Sequence, residues 1–123
     1  MNQRVILIIA SISGFLSVGL GAFGAHAFKS ILTVNGRLET YELATRYQFY
    51  HALALLFVGL LADKFPSLGT SAIFFITGII IFSGSLYILS LTGTTWWGAV
   101  TPVGGLCLLV GWALLGWTVY RGK

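Results

Sequence analysis

Four runs of apolar residues, each about as long as a bilayer is thick, constrain the fold of this chain more than any other feature. They cover residues 5–28, 43–62, 69–91 and 99–120 of the 123-residue sequence. A helix needs about 20 predominantly apolar residues to cross the hydrocarbon core of a membrane, and each run has about that length. Only 8% of the residues are charged, whereas soluble domains have about 25%. The sequence therefore predicts an integral membrane protein with the lipid bilayer as its main partner.

The predicted fold class is all-α, with one domain over residues 1–123. Four transmembrane helices would form an up-down bundle with both termini on the same side, which we call face A. The first and third connections would then lie at the opposite side, face B. Four basic residues fall near face A (Arg4, Lys64, Arg121 and Lys123) and three near face B (Lys29, Arg37 and Arg46). The positive-inside rule thus favours cytoplasmic termini by one residue.

The stretch GLGAFGAHAF, residues 19–28, contains two patterns that this context excludes. Gly19, Gly21 and Gly24 match the G-x-G-x-x-G of dinucleotide-binding loops, but that loop follows a strand of about five residues within a βαβ unit. Ala25-His26-Ala27 resembles the cleavage site of a signal peptide, whose apolar core is only about 7–15 residues long. Here both patterns lie within an apolar run that begins at Val5 and is longer than such a core, and three more runs follow.

Other classes of function are disfavoured by composition. The seven basic residues are scattered along the chain, which does not suit a run of phosphates, so we expect no nucleic acid partner. Cys107 is the only cysteine, and no serine or cysteine nucleophile is evidently paired with a base. We therefore expect no catalytic residues and, apart from the bis-histidine alternative described below, no metal site and no cofactor.

Small residues recur every four positions in the first run, from Ser13 onward. Such a stripe lets helix backbones approach closely in lipid, and glycines in the third and fourth runs would act similarly. The residues predicted to pack helices together are Ser17, Gly21, Gly24, Ala25, Gly84, Pro102, Gly104 and Gly105.

Polar residues are concentrated toward face B, where they suggest a site. Polar side chains in a membrane helix are costly and usually face the bundle interior or have a function. The candidate ligand-binding residues are His26, Gln48, His51, Tyr47, Ser83, Ser85, Tyr87 and Thr101. Three interpretations remain open. They are a structural hydrogen-bond cluster of His26, His51, Gln48 and Tyr87, a pocket for a lipid headgroup, quinone or small solute, and a metal or haem iron held by the two imidazoles.

These interpretations lead to different functions. The main functional hypothesis is a non-enzymatic membrane protein whose pocket binds a lipid-like or small polar ligand, or a partner protein. The alternative is a small transporter or channel that acts as a homo-oligomer. Proton-coupled exporters, however, use a carboxylate near the bilayer midplane, and the three acids of this chain, Glu39, Glu42 and Asp63, lie in predicted connections or at helix ends. A bis-histidine metal or haem site is a further alternative.

Four segments also carry a family resemblance. GAFGAHAF, YQFYHALALL, FSGSLYIL and TPVGGLCLLVGW, in this order and spacing, resemble the small bacterial membrane proteins of the YgdD family, which is related to transmembrane protein 256 of eukaryotes and grouped as a domain of unknown function. The resemblance covers nearly the whole chain. It implies a four-helix fold in the bacterial plasma membrane, and no activity.

Overall fold

The computed structural model describes residues 1–123, and its regular secondary structure consists of helices with no strands. Its helices are α1 (Gln3–Ala25), α2 (Lys29–Val34), α3 (Leu38–Leu61), α4 (Leu68–Thr92) and α5 (Thr101–Arg121), with a short 3₁₀ helix at Thr95–Ala99 before α5. The four long helices correspond to the four apolar runs. The connection predicted at residues 29–42 is partly wrong, because it contains α2 and the first turn of α3.

Local side-chain chemistry sets several helix ends. The Asn2 side chain accepts a hydrogen bond from the Val5 N–H at the start of α1, which satisfies one of the amides that a helix start leaves unpaired. At the other end of the molecule, α4 ends at Gly93, whose φ of 73° suits a residue without Cβ. There Asn35 Nδ2 donates to the carbonyl oxygens of Ser90 and Leu91.

The long helices pack in chain order: α1 lies against α3, α3 against α4, and α4 against α5. No comparably close interface forms between α1 and α5, so the four helices do not close into a ring. A cleft, the α1/α4 cleft, consequently opens between α1 and α4, with α3 at its base. A groove, the α3/α5 groove, opens between α3 and α5. The buried apolar core includes Ile6, Ala10, Leu55, Val58, Leu68, Ala72, Phe75 and Leu108.

Contacts between distant parts of the chain define the two ends of the molecule. We call the end that contains the α3–α4 connection end A, and the opposite end is end B. At end A, the Ser67 N–H donates to the Lys123 carbonyl, and a Cβ placed on Gly69 would lie 3.4 Å from the Met1 carbonyl oxygen. At end B, Asn35 caps α4 as described above. End A therefore holds both termini and the α3–α4 connection, and end B holds the other two connections.

The structure supports three membrane spans rather than the predicted four. α1, α4 and the segment Thr95–Arg121 are long and apolar enough to cross a bilayer. α3 is long enough, but it carries Glu39, Glu42, Arg46, Gln48 and His51, and these polar residues lower its hydropathy below that of its neighbours. The count of four transmembrane helices is therefore not confirmed.

Candidate site: a polar floor beneath the α1/α4 cleft

Gln48 links three helices through its side-chain amide. Its Nε2 donates to the Ser13 carbonyl oxygen of α1 at 3.0 Å, and its Oε1 accepts a hydrogen bond from the Tyr87 hydroxyl of α4 at 2.5 Å. Gln48 is only 6% exposed, so these bonds replace water for a group whose burial would otherwise be costly. The predicted contact between Gln48 and Tyr87 is present.

A cleft of about 340 Å³ lies directly beside this pair. Its walls are aliphatic side chains of α1 and α4, and its floor is α3. The lining residues include Ile9, Ile12, Leu16, Leu20, Leu55, Ile76, Ile79 and Ile80, with Ser13, Gln48, Ser83, Gly84 and Tyr87 among them. No charged side chain lines this α1/α4 cleft.

Ser13 is the exceptional residue of the cleft. Its hydroxyl oxygen is buried and has no hydrogen-bond partner, and it is the only buried side-chain nitrogen or oxygen in the molecule in that condition. Ser83, by contrast, donates to the Ala44 carbonyl at 2.8 Å. A buried hydroxyl without a partner costs about 1–3 kcal/mol, so Ser13 is a place where a further polar group would stabilise the protein.

The polar side chains of Ser13, Gln48 and Tyr87, which we call the polar floor of the cleft, lie deeper in the helix bundle than the sequence predicted. Ser13 follows the start of α1 by ten residues, and Gln48 follows the start of α3 by ten. At about 1.5 Å per residue, each is about 15 Å from its helix end. This is near the middle of both helices, whereas the sequence interpretation placed the site at face B.

His51 does not join this cluster. Its Nδ1 lies 2.7 Å from the Tyr47 carbonyl oxygen of the preceding turn, and its Nε2 accepts a hydrogen bond from Trp112 Nε1 of α5 at 3.1 Å. Since a carbonyl only accepts and an indole N–H only donates, the imidazole is neutral, with its proton on Nδ1. Both ring nitrogens are occupied, which leaves no lone pair for a metal.

His26 caps the end of α1 with its backbone, and its side chain is exposed. No hydrogen bond or ring contact joins it to His51, which faces α5. The expectation that the two imidazoles meet is wrong, as is their predicted cluster with Gln48. No group of three histidine, cysteine or acidic residues comes together elsewhere.

The remaining candidate residues are divided between two places. Ser85 and Thr101 lie with their hydroxyl oxygens 2.6 Å apart and tie α4 to the start of α5. Tyr47 stacks on Phe82 with ring centroids 4.8 Å apart, and with His51 and Trp112 it lines the α3/α5 groove. Neither place opens onto the α1/α4 cleft.

The residues predicted for helix packing separate into close contacts and open positions. A Cβ on Gly24 would overlap the Tyr41 ring, and one on Gly104 would overlap the Phe82 backbone. Ser17 is buried and donates to the Thr45 carbonyl, whereas Gly105 has only ordinary contacts with the Phe82 ring. Pro102 occupies the first turn of α5, where its missing N–H costs no helix bond.

Three of those residues do not pack one helix of this chain against another. A Cβ on Gly21 or Gly84 would meet nothing within 4 Å, and Ala25 is exposed. Their predicted packing role is wrong because four-residue spacing places side chains along one face of a helix without specifying how near the next helix lies.

Two important residues were not predicted. The sequence places Ser13 only at the start of the small-residue stripe, and Trp112 only at the end of the segment TPVGGLCLLVGW. Trp112 lies eleven residues after the start of α5, and tryptophans usually lie at membrane interfaces. A tryptophan near mid-helix could therefore have indicated a buried hydrogen-bond partner for its N–H.

Comparison with known proteins identifies the family. The family model described as "Protein of unknown function (DUF423)" matches residues 20–105. The chain belongs to this family. It is 40% identical to the UPF0382 membrane protein YwdK of Bacillus subtilis, over 92% of this chain and 94% of that protein. It is 42% identical to the UPF0382 inner membrane protein YgdD of Escherichia coli, over 94% of this chain and 88% of that protein.

Family membership and the three apolar helices agree that this chain is an integral membrane protein. The family's description names no activity. No solved structure matches the chain.

Proposed function

We propose that this member of the family is a non-enzymatic membrane protein that binds an uncharged, lipid-like molecule in the α1/α4 cleft. The observation that carries the proposal is the buried Ser13 hydroxyl, which has no partner within the chain and belongs to an otherwise aliphatic cleft. A ligand with one polar group on an apolar chain would satisfy that hydroxyl and fill the cleft.

The side chains around the cleft define the chemistry of the ligand. The aliphatic walls favour an acyl or isoprenoid chain, since apolar contact is what they offer. Ser13 can donate one hydrogen bond, and Gln48 Nε2 has a second N–H beyond the one given to Ser13. Two neighbouring donors favour a ligand whose polar group is a carbonyl or hydroxyl oxygen, because such an oxygen can accept both hydrogen bonds. The absence of charged lining residues disfavours a charged headgroup, because an ion at this depth would lack a counter-charge.

The proposal also requires α3 to cross the membrane with its neighbours. α3 lies between α1 and α4, and its two most central polar side chains, Gln48 and His51, are hydrogen-bonded inside the protein. The acids Glu39 and Glu42 lie in its first two turns, at end B. Buried partners lower the cost of polar residues in a span, so a helix of modest hydropathy can still cross. With four crossings, end A lies on one side of the bilayer and both termini are there.

Cysteine labelling tests that topology. In a Cys107→Ala background, we expect Thr33→Cys and Ser67→Cys to react with a membrane-impermeant maleimide from opposite sides of sealed vesicles, because α3 separates them. Fusions of a reporter to either terminus should report the same side as Ser67→Cys. Labelling of Thr33→Cys and Ser67→Cys from one side would show that α3 does not cross.

Photolabelling tests the cleft. The probe is a fatty alcohol with a diazirine on its chain, incorporated with the purified protein in phosphatidylcholine vesicles. We expect labelled peptides to come from α1 and α4, with competition by unlabelled alcohol. Gly84→Leu should reduce labelling at least several-fold, because its side chain would project into the cleft without a clash. Ser13→Ala should also weaken labelling by removing the hydrogen-bonding group.

The control is Gly116→Leu. Gly116 also has open space around it but does not line the cleft, so labelling should remain at the wild-type level. The proposal would be overturned if lipid-facing residues were labelled uniformly and Gly84→Leu left that labelling unchanged. Such a result would show only that the helices are exposed to lipid.

A further inference from the structure

A second feature, on the outer side of α1 and α3 and separate from the cleft, is a notch around Arg46. Seven residues line it (Ser17, Val18, Gly21, Thr45, Arg46, Phe49 and Tyr50), and its volume is about 270 Å³. Because Gly21 has no side chain and nothing lies within 4 Å of its Cβ position, the surface is recessed beside the exposed Arg46. We propose that this Arg46 notch binds the phosphate of an anionic phospholipid.

The charge of Arg46 is unbalanced within the chain. Glu42 lies one turn earlier on α3, at a spacing that allows an ion pair, but no carboxylate lies within 4 Å of the guanidinium. The aliphatic hydroxyls of the notch are already used as donors, with Ser17 donating to the Thr45 carbonyl and Thr45 donating to the Glu42 carbonyl. The guanidinium thus keeps its five N–H donors, and its planar fork matches a phosphate in two parallel hydrogen bonds.

The surroundings indicate that the phosphate belongs to a lipid. Val18 is 65% exposed, Phe49 39% and Tyr50 53%, so the notch is bordered by apolar and aromatic side chains rather than by the polar rim of a water-facing site. Gly21 lies four residues before the end of α1, about 6 Å along the axis. From there the long arginine stem can reach headgroup depth while its methylenes stay in the apolar layer.

Lipid selectivity tests this site directly. The wild-type protein is reconstituted in phosphatidylcholine vesicles with trace spin-labelled phosphatidylglycerol or spin-labelled phosphatidylcholine, and the motionally restricted fraction of each is measured by electron paramagnetic resonance. We expect a preference for phosphatidylglycerol of about fivefold, the factor that corresponds to the usual contribution of one basic residue near an anionic surface. Arg46→Gln should abolish most of the preference.

Two further variants separate a shaped site from general surface charge. Gly21→Leu keeps every charge but fills the recess, and it should also lose the preference while the protein stays folded, since it meets open space. Arg121→Gln removes the same charge at the other end of the molecule, where the guanidinium lies over the Trp117 ring, and it should leave the preference unchanged.

Three results would overturn the inference. They are equal losses in Arg46→Gln and Arg121→Gln, an unchanged preference in Gly21→Leu, and removal of the preference by excess inorganic phosphate, which would assign the notch to a soluble anion. None of these measurements depends on the α1/α4 cleft, and Gly84→Leu should retain the phosphatidylglycerol preference.

Discussion

Replacing Gly104 with valine should lower the free energy of unfolding more than a substitution at any glycine with open space around it. A Cβ at position 104 would lie 2.7 Å from the Phe82 Cα and 2.9 Å from the Ile81 carbonyl carbon. Both are backbone atoms of α4, so no rotamer change can relieve the overlap, and α4 and α5 must separate. Overpacking of protein interiors typically costs about 1–3 kcal/mol, and we expect Gly104→Val to lie at or above the upper end of that range.

The matched control is Gly116→Val on the same helix. The substitution changes helix propensity by the same amount at both positions, but nothing lies within 4 Å of a Cβ at position 116. Thermal unfolding of the two variants in the same detergent isolates the cost of the close contact between α4 and α5. Equal midpoints for Gly104→Val and Gly116→Val would contradict the observed packing.

The sequence was sufficient to predict the long helices because hydropathy reports where side chains prefer to be. The ends of the first, third and fourth runs agree with α1, α4 and α5 to within three residues. The second run was predicted to start at Leu43, but α3 begins at Leu38. Glu39 and Glu42 made those first turns too polar to recognise as part of the same helix.

That difference in one helix start explains why the site was placed too shallow. Five additional residues at the start of α3 move Gln48 about 7.5 Å further from the helix end. Gln48 then lies level with Ser13 near mid-helix, and Ser13 becomes part of the site. The depth of Gln48 along α3 therefore could not be derived from the apolar run alone, because the charged residues of the first turns did not belong to that run.

The partner of His51 depended on helix rotation rather than on depth. Gln48 and His51 are three residues apart, which is about 300° around a helix of 3.6 residues per turn. One interpretation of the sequence placed both in a single hydrogen-bond cluster, but the remaining 60° directs Gln48 toward α1 and Tyr87, and His51 toward Trp112. Sequence spacing cannot resolve that choice, because it contains no information about the angle between α3, α4 and α5.

The same limit applies to the small residues of α1. Gly21 and Gly24 both belong to the predicted packing face, yet only Gly24 contacts a neighbouring side chain, the Tyr41 ring. Tyr41 is 1% exposed, and its hydroxyl donates to the Leu20 carbonyl. The buried Tyr41 needs a hydrogen-bond acceptor for its hydroxyl and room for its ring, and this makes a glycine necessary at position 24. The spacing of small residues along α1 contains no information about Tyr41.

Replacing Gln48 with leucine should be the most destabilising of the substitutions on the polar floor. It removes the hydrogen bonds to the Ser13 carbonyl and from the Tyr87 hydroxyl. The Tyr87 hydroxyl then lacks its acceptor in an apolar environment, and a buried polar group without a partner costs about 1–3 kcal/mol. We expect Gln48→Leu to lower the free energy of unfolding in detergent by about that amount. Gln3→Leu is the control, since Gln3 makes only a long 3.4 Å bond to the Leu60 carbonyl at the surface.

A double-mutant cycle with Tyr87→Phe separates the hydrogen bond from packing. Tyr87→Phe removes the hydroxyl and keeps the ring, so in its background Gln48→Leu no longer leaves a buried donor without a partner. The cost of Gln48→Leu should therefore be smaller in Tyr87→Phe than in the wild type, and the two single effects should not add. Strict additivity would mean that the bond between Gln48 and Tyr87 contributes nothing to stability, and that Gln48 acts only through its contact with α1.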